Sequence, residues 1–340
     1  MRILHSLRAC LLLAGVILAA ESANAAAITH TAAGPQKGFA VIELFTSEGC
    51  SSCPPADEAF LRLGEEAATN REAVYILEWH VDYWDYLGWK DPIDSSLATT
   101  RQRSYARALG SSLYTPQAVF NGSTIASYAG DWRELNTLAQ HFLSAAPQQG
   151  IGLALKATAT GTSLRVHADV QGAQRGSILL LAIVEAGLGA MPTAGENAGQ
   201  RLRHSDVVRS MTTLTAAAAD VVLSLPRDAD LGRSAVVGLL QDPGTMRISF
   251  AARATIRAEK GGGISGRVVD PAGHGRAGVL VQACSDRVCV PAATGVHGGF
   301  ALVGLPAGSY RISLNNAQPV LTVTVSDSRT VSIGSVRGAT

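Results

Sequence analysis

Val41-Ile42-Glu43-Leu44-Phe45-Thr46-Ser47-Glu48-Gly49-Cys50-Ser51-Ser52-Cys53-Pro54-Pro55-Ala56-Asp57 is the stretch from which the fold is read. An apolar strand over Val41 to Phe45 runs through a polar turn into a Cys-x-x-Cys, and two prolines then open a helix. Proline suits a first helical turn, because its missing N–H would have had no intrahelical partner there. Thiols at this spacing can close a disulfide across one helical turn. The first of them sits where free N–H groups and the positive end of the helix dipole favour a thiolate. Strand, Cys-x-x-Cys, helix is therefore a redox context. Cys50 is the expected attacking thiol and Cys53 the resolving one, with the Ser51 and Ser52 hydroxyls as donors to the thiolate.

Outward from this stretch the pattern alternates. A helix is expected near Pro55 to Asn70, with Ala59, Phe60, Leu63 and Ala67 on one face, then an apolar strand over Ala73 to Trp79. The run His80 to Pro92 packs Tyr83, Trp84, Tyr86 and Trp89 among Asp82, Asp85 and Asp91. A helix over Ser95 to Leu109 stops at Gly110, a C-cap signal. Leu113 to Gly122 reads as strand and hairpin turn on Asn121-Gly122, and Asp131 caps a further helix to about Ala145. Such alternation implies βαβ units. After a linker at 147–150, short alternating strands to about Ala258 predict a β-sandwich. Gly261-Gly262-Gly263 marks a second hinge, and the strands beyond it predict a small all-β domain.

The first half resembles the thioredoxin fold and, more narrowly, the exported and uncharacterised DUF1223 family. The residues that carry this are Glu43 through Asp57, His80-Val81-Asp82-Tyr83-Trp84-Asp85, Gly88-Trp89-Lys90-Asp91-Pro92, Tyr114-Thr115-Pro116-Gln117 and Gly195-Glu196-Asn197-Ala198-Gly199. The tail, through Gly266-Arg267-Val268-Val269-Asp270 and Leu305-Pro306-Ala307-Gly308-Ser309-Tyr310, resembles a carboxypeptidase regulatory-like, transthyretin-like module. The resemblance implies an α/β thioredoxin-like domain over 38–148, a β-sandwich over 151–258 and the transthyretin-like β domain over 262–335. It also implies that Pro116, after Thr115, is a cis-proline facing the disulfide, where the preceding backbone can pair with an extended substrate. The chain departs from thioredoxins in placing Gly49 before the first cysteine and Ser51-Ser52 between the two. The nearest equivalent of their buried acid is Glu43. Glu43 and His80 are the candidates for proton handling, and Trp84 for a substrate wall.

Residues 1–25 read as a signal peptide, with Arg2 and Arg8 ahead of the apolar Leu11 to Ala20 and a small-x-small site at Ala23-Asn24-Ala25. A periplasmic or secreted protein with no membrane span after cleavage is expected. The whole chain has 28 basic and 27 acidic residues, and removal of two Arg and one Glu leaves 26 of each. That neutrality gives no electrostatic reason to expect nucleic acid as a partner. The four remaining cysteines form two close pairs, which suits an oxidising compartment. Cys284 and Cys289 are expected to close a hairpin tip as a structural disulfide.

The function implied is an exported thiol–disulfide oxidoreductase acting on protein or small-molecule thiols and disulfides, without a cofactor and with no metal assigned. Two alternatives stay open. In one, the Cys-x-x-Cys is a staple in a non-enzymatic envelope binding protein; in the other it carries copper or zinc, with His80 as the third ligand. Glu196, His204 and Asp206 suggest a hydrolytic or metal site, but no nucleophile motif accompanies them, and they are read as loop-capping residues.

Overall fold

Strand β1 (Ala40–Thr46) is buried along its whole length, and its two faces go to different cores. The computed structural model describes residues 38–337 except 147, 161–162, 227, 259–260, 287 and 328. The signal peptide and N-terminal tail expected before residue 38 lie outside the described residues. After β1 come α1 (Pro54–Asn70), β2 (Val74–His80), α2 (Ser96–Leu109), β3 (Gln117–Phe120), β4 (Thr124–Ile125) and α3 (Trp132–Ser144). β2 runs parallel to β1, with Leu44 opposite Glu78 and Thr46 opposite His80. β3 pairs antiparallel on the other side of β1 and turns back into β4.

Because side chains alternate along a strand, Ala40, Ile42 and Leu44 meet Phe60 and Leu63 of α1 and Leu135 of α3. Val41 and Phe45 instead meet Ala98 and Tyr105 of α2 together with Leu77 and Trp79 of β2. Helix ends follow the sequence signals. Asp131 accepts the Arg133 and Glu134 N–H groups at 2.9 and 3.4 Å, and Gly110 closes α2 at φ 66°. The Asn121-Gly122 turn uses positive φ at both residues, and a Cβ on Gly122 would lie 1.8 Å from the Met246 carbonyl oxygen. Only glycine fits both demands.

The strands that follow are β5 (Gly152–Thr160), β6 (Ser163–Gln171), β7 (Ile178–Ala186), β8 (Gly189–Ala190), β9 (Leu202–Arg203), β10 (Asp206–Thr215), β11 (Ala219–Ser224), β12 (Ser234–Gln241) and β13 (Ile248–Ala258). They are continuous with the first sheet. β10 pairs antiparallel with β7 and, at Val207 opposite Glu78, parallel with β2. One eleven-stranded sheet therefore runs β11-β6-β5-β13-β12-β7-β10-β2-β1-β3-β4. Among the described residues the ladder β11-β6-β5 pairs with it through residues 256–258 at the end of β13. Leu153 and Leu155 of that ladder lie over Gly238 of β12, so it folds across the β12-β7 face and encloses Leu164, Val166, Leu181 and Val236.

The last seven strands are β14 (Gly262–Val269), β15 (Leu280–Cys284), β16 (Cys289–Ala293), β17 (Gly299–Leu305), β18 (Gly308–Leu314), β19 (Leu321–Val325) and β20 (Thr330–Arg337). They form a three-stranded and a four-stranded sheet around Ile264, Phe300, Val281, Tyr310 and Ile312. Cys284 and Cys289 face each other across the β15–β16 hairpin and are disulfide-bonded. Among the described residues the molecule is thus mostly β, with the helices in the first segment. Among the described residues no helix is long and apolar enough to cross a membrane.

Candidate functional site

From the end of β1 the chain turns through Ser47 to Ser52, with the Cys50 N–H on the Ser47 carbonyl and the Cys53 N–H on the Cys50 carbonyl, both at 3.1 Å. Cys50 and Cys53 form a disulfide with their Cα atoms 5.4 Å apart. Cys53 caps α1, and its carbonyl takes the N–H groups of both Ala56 and Asp57, at 2.8 and 3.1 Å. Pro54 and Pro55 bring no N–H. The helix start therefore has fewer free donors than an ordinary one, and the donors expected there for a thiolate are largely spent. Hydroxyls reach Cys50 instead: Thr115 Oγ1 at 3.2 Å and Ser52 Oγ at 3.4 Å.

Thr115 is oriented from behind. Trp84 Nε1 donates to Thr115 Oγ1 at 2.7 Å, which leaves the threonine's own proton for Cys50 Sγ. The Thr115–Pro116 bond is cis. Gln102 holds the neighbouring backbone, donating to the Tyr114 carbonyl at 2.7 Å. The Trp84 ring is stacked by Tyr86, which is 76% exposed, while Cys50 is 1% and Cys53 0% exposed. A distant segment closes the site. Glu196 accepts the Ser51 N–H at 3.1 Å, and Asn197 Nδ2 donates to the Glu48 and Cys50 carbonyls, each at 2.9 Å.

Below this turn, between β2 and the first turn of α1, lies a fully buried charged cluster. Glu78 and His80 share the β2 face that looks toward α1. His80 Nδ1 meets Asp91 Oδ2 at 2.6 Å, and that carboxylate also accepts the Glu48 N–H at 2.9 Å. His204 Nδ1 meets Glu78 Oε1 at 2.8 Å, and the second Glu78 oxygen accepts the Ser205 N–H at 2.7 Å. Asp57 accepts from Thr46 at 2.7 Å and stands 3.9 Å from His204. The two imidazoles pack edge to face at 4.5 Å.

Burial alone would strip protons from both histidines, but the carboxylates outweigh it: Asp91 and Glu78 hold His80 up to about 10, and Glu78, Glu48 and Asp57 hold His204 well above its ordinary value. For Glu78 and Asp91 burial is likewise opposed, by His204 and His80, and both stay near 2. Asp57 goes the other way, raised to about 7 by burial and then by Glu78. Glu78, His80 and His204 bring one ligand atom each within 4.8 Å of one another. Glu78 and Asp91 are each paired directly with a protonated imidazole, of His204 and His80, and we read the group as an ion-pair cluster.

Linkage gives each group a sign. Asp57 keeps its proton from its unfolded value of 3.8 up to about 7, so in that window the folded state binds more protons and stability falls as pH rises. Glu78 and Asp91 stabilise fully above their unfolded values of 4.5 and 3.8 and lose this as pH falls toward 2. His80 stabilises fully below 6.5 and loses this as pH rises toward 10. Asp57→Asn is accordingly expected to flatten the loss between pH 4 and 7 while the alkaline loss persists, as read by urea unfolding across pH.

The family model for a protein of unknown function, DUF1223, matches residues 41–241. The chain belongs to the DUF1223 family. Among solved structures it is similar to protein AGR_C_4864 from Agrobacterium tumefaciens, with 30% identity over 64% of this chain and 95% of that one at a TM-score of 0.49. It is also similar to HBP35 of Porphyromonas gingivalis, with 14% identity over 86% of this chain and 100% of that one at a TM-score of 0.51. No curated protein matches it.

The disulfide, the cis bond and all members of the charged cluster fall inside the DUF1223 match, whereas β14 to β20 lie beyond it. Of the residues singled out in the sequence, Cys50, Cys53, Thr115, Pro116 and Trp84 come together, and His80 lies in the cluster below. Glu43 does not join them. It faces α2, where Arg101 donates to it at 2.6 Å and Tyr105 also donates, with Gln241 on the same guanidinium at 3.2 Å. Its odd position in β1 points it away from α1, which carries the cysteines. Glu196 and His204 join the DUF1223 site across a long sequence separation, while Asp206 pairs instead with Arg253 at 3.2 Å. Glu48, Asp57, Glu78 and Asn197 are members to which sequence reasoning gave no role of their own, and Asp91 was singled out only as one acid of the run His80 to Pro92.

Proposed function

We propose that this DUF1223 protein is a thioredoxin-like thiol–disulfide oxidoreductase working through Cys50 and Cys53. The observation that carries the reading is the Trp84–Thr115–Cys50 chain of hydrogen bonds beside a cis Thr115–Pro116 bond. The order β2-β1-β3-β4, with α1 and α3 on one face and α2 on the other, supports the thioredoxin-like part of it. In the oxidised form a substrate thiolate attacks Cys50 Sγ and the S–S bond breaks toward Cys53, which leaves as thiolate and takes a proton. A second substrate thiol then displaces Cys50 from the mixed disulfide. Two electrons thus pass from two substrate thiols to the cysteine pair, and a substrate disulfide is released. We assign the action to the periplasm or the exterior on the signal peptide read in residues 1–25, and the tail to a transthyretin-like accessory domain.

One observation favours a second reading. Cys50 is 1% exposed, as a structural staple in a non-enzymatic binding protein would be. Equilibrating the protein with glutathione buffers and trapping free thiols separates the two. A potential between roughly −120 and −270 mV supports exchange chemistry, and one below about −300 mV supports the staple.

Thr115→Val keeps the side-chain shape and removes the hydroxyl on the sulfur. A hydrogen bond to a charged acceptor is worth about 1.5 kcal/mol or more, so alkylation of reduced Cys50 at neutral pH is expected to slow by roughly tenfold. The pair should also become more reducing, because its thiolate form is less stabilised. An unchanged alkylation profile would remove Thr115 from the reaction.

A further inference from the structure

A separate cavity has none of Cys50, Cys53, Glu196 and Asn197 in its lining. It measures about 230 Å³ and opens between the β8–β9 hairpin, β14 and the turn after it. Its wall carries Arg201, Arg203, Arg233, Arg267 and His274, and no acidic side chain. Arg203 is committed to Glu58 at 2.7 Å, and His274 Nδ1 to Asp270 at 3.1 Å. The others are not so committed. Arg233 and Arg267 both converge on the Gly187 carbonyl, at 2.9 and 3.0 Å, and Arg267 adds the His297 carbonyl at 2.8 and 3.1 Å.

Among the described residues neither of them, nor Arg201, forms an ion pair with a carboxylate. Glu185 and Asp230, whose charges act on Arg267, make their hydrogen bonds elsewhere: Glu185 accepts from Arg209 and from the Asp230 N–H, and Asp230 accepts from the Gly232 N–H at 2.9 Å and Ser332 at 3.2 Å. The wall also holds a buried polar atom without a partner, Nε2 of His274. Glu185 and Asp230 act on Arg267 only through space, so Arg201, Arg233 and Arg267 keep donors without a carboxylate on them, and an unpartnered buried nitrogen costs free energy. A bound anion offsets both.

We infer that this cavity binds the phosphoryl group of a small molecule. Guanidinium groups line the cavity from three separate elements, the β8–β9 connection, the start of β12 and β14, with Arg267 already holding the His297 and Gly187 carbonyls, so the remaining donors are spread in space. A tetrahedral dianion can accept from several directions, whereas one planar carboxylate is satisfied by a single fork. The volume exceeds what a lone phosphate fills and lies below that of drug-sized pockets, about 300 Å³ and upward, so a small phosphorylated metabolite fits the space. This site stands independently of the redox reading.

Isothermal titration of the full chain with inorganic phosphate at low ionic strength tests it. Saturable one-to-one binding is expected, weakened at least tenfold by Arg233→Gln and by the exposed Arg201→Gln, and unchanged by Arg165→Gln on remote β6. Thermal melts of the same variants verify folding, and Arg201→Gln keeps the test open should Arg233→Gln unfold. The inference is overturned if acetate or chloride binds as well as phosphate at equal ionic strength. It is also overturned if Arg201→Gln and Arg233→Gln both bind like the parent.

Discussion

Cys53→Ala is expected to turn the protein into a trap that accumulates a mixed disulfide on Cys50, while Cys50→Ala forms no adduct and exchanges no faster than the uncatalysed background. The asymmetry follows from placement. Both cysteines are buried, but the Thr115 and Ser52 hydroxyls reach Cys50 Sγ, whereas Cys53 is the cap of α1, with its carbonyl tied to Ala56 and Asp57. In Cys53→Ala the reduced Cys50 attacks a substrate disulfide and keeps one of its sulfurs; without Cys53 the intramolecular release is lost and only the slower attack of an external thiol remains. Mass spectrometry after incubation with a mixture of small thiols and disulfides reads the adduct and its site. Equal labelling of both variants, or of neither, would sink the assignment.

The same pair of variants weighs the staple reading energetically. On the chain-entropy model a disulfide closing a loop of only four residues stabilises by about 2 kcal/mol at most. That is a small return for a buried pair lined with hydroxyl donors, a cis-proline and a tryptophan. If Cys50→Ala lowers stability by no more than this and abolishes exchange, the bond serves chemistry. A larger stability loss with no exchange in the parent would give the staple its case.

How far the sequence could be read depended on the range of the signal. β1, the Cys-x-x-Cys and α1 lie within thirty-one residues, from Ala40 to Asn70, and period-two and helical patterns with two prolines expose them directly. The C-cap at Gly110 and the turn at Asn121-Gly122 carry their own backbone chemistry. β2 was expected as an apolar strand, and that reading missed that Glu78 and His80, two apart, share the face toward α1. The polar residues gathered at the ends of β1 and β2 and at Asp57 were the available sign. His204 lay beyond any local pattern: it meets Glu78 across 126 positions, through the pairing of β10 with β2 that merges the first two segments into one sheet. Glu43 went astray for a local reason, since a one-residue difference in strand register sends a side chain to the opposite face.

His204→Ala is expected to destabilise the fold by about 3–5 kcal/mol, the usual cost of removing one partner from a buried ion pair. The imidazolium is the shared counter-charge of Glu78 and Asp57 and sits 3.5 Å from Glu48, all buried. Without it three acids face one remaining cation, His80, which Asp91 already engages. Glu78→Ala should cost a similar amount, because it strands His204 and the Ser205 N–H. The double variant should lose clearly less than the sum, since neither orphan remains alone. Urea unfolding of the four proteins measures that coupling, and strict additivity would mean the pair is not a unit. The loss should also reach the disulfide. His204 and Asn197 belong to one segment, and Asn197 fixes the Cys50 carbonyl, so loosening its anchor should speed reduction of the Cys50–Cys53 bond by added thiol. Cys284–Cys289, held in a separate hairpin with its own core, should be reduced at an unchanged rate and serves as the internal control.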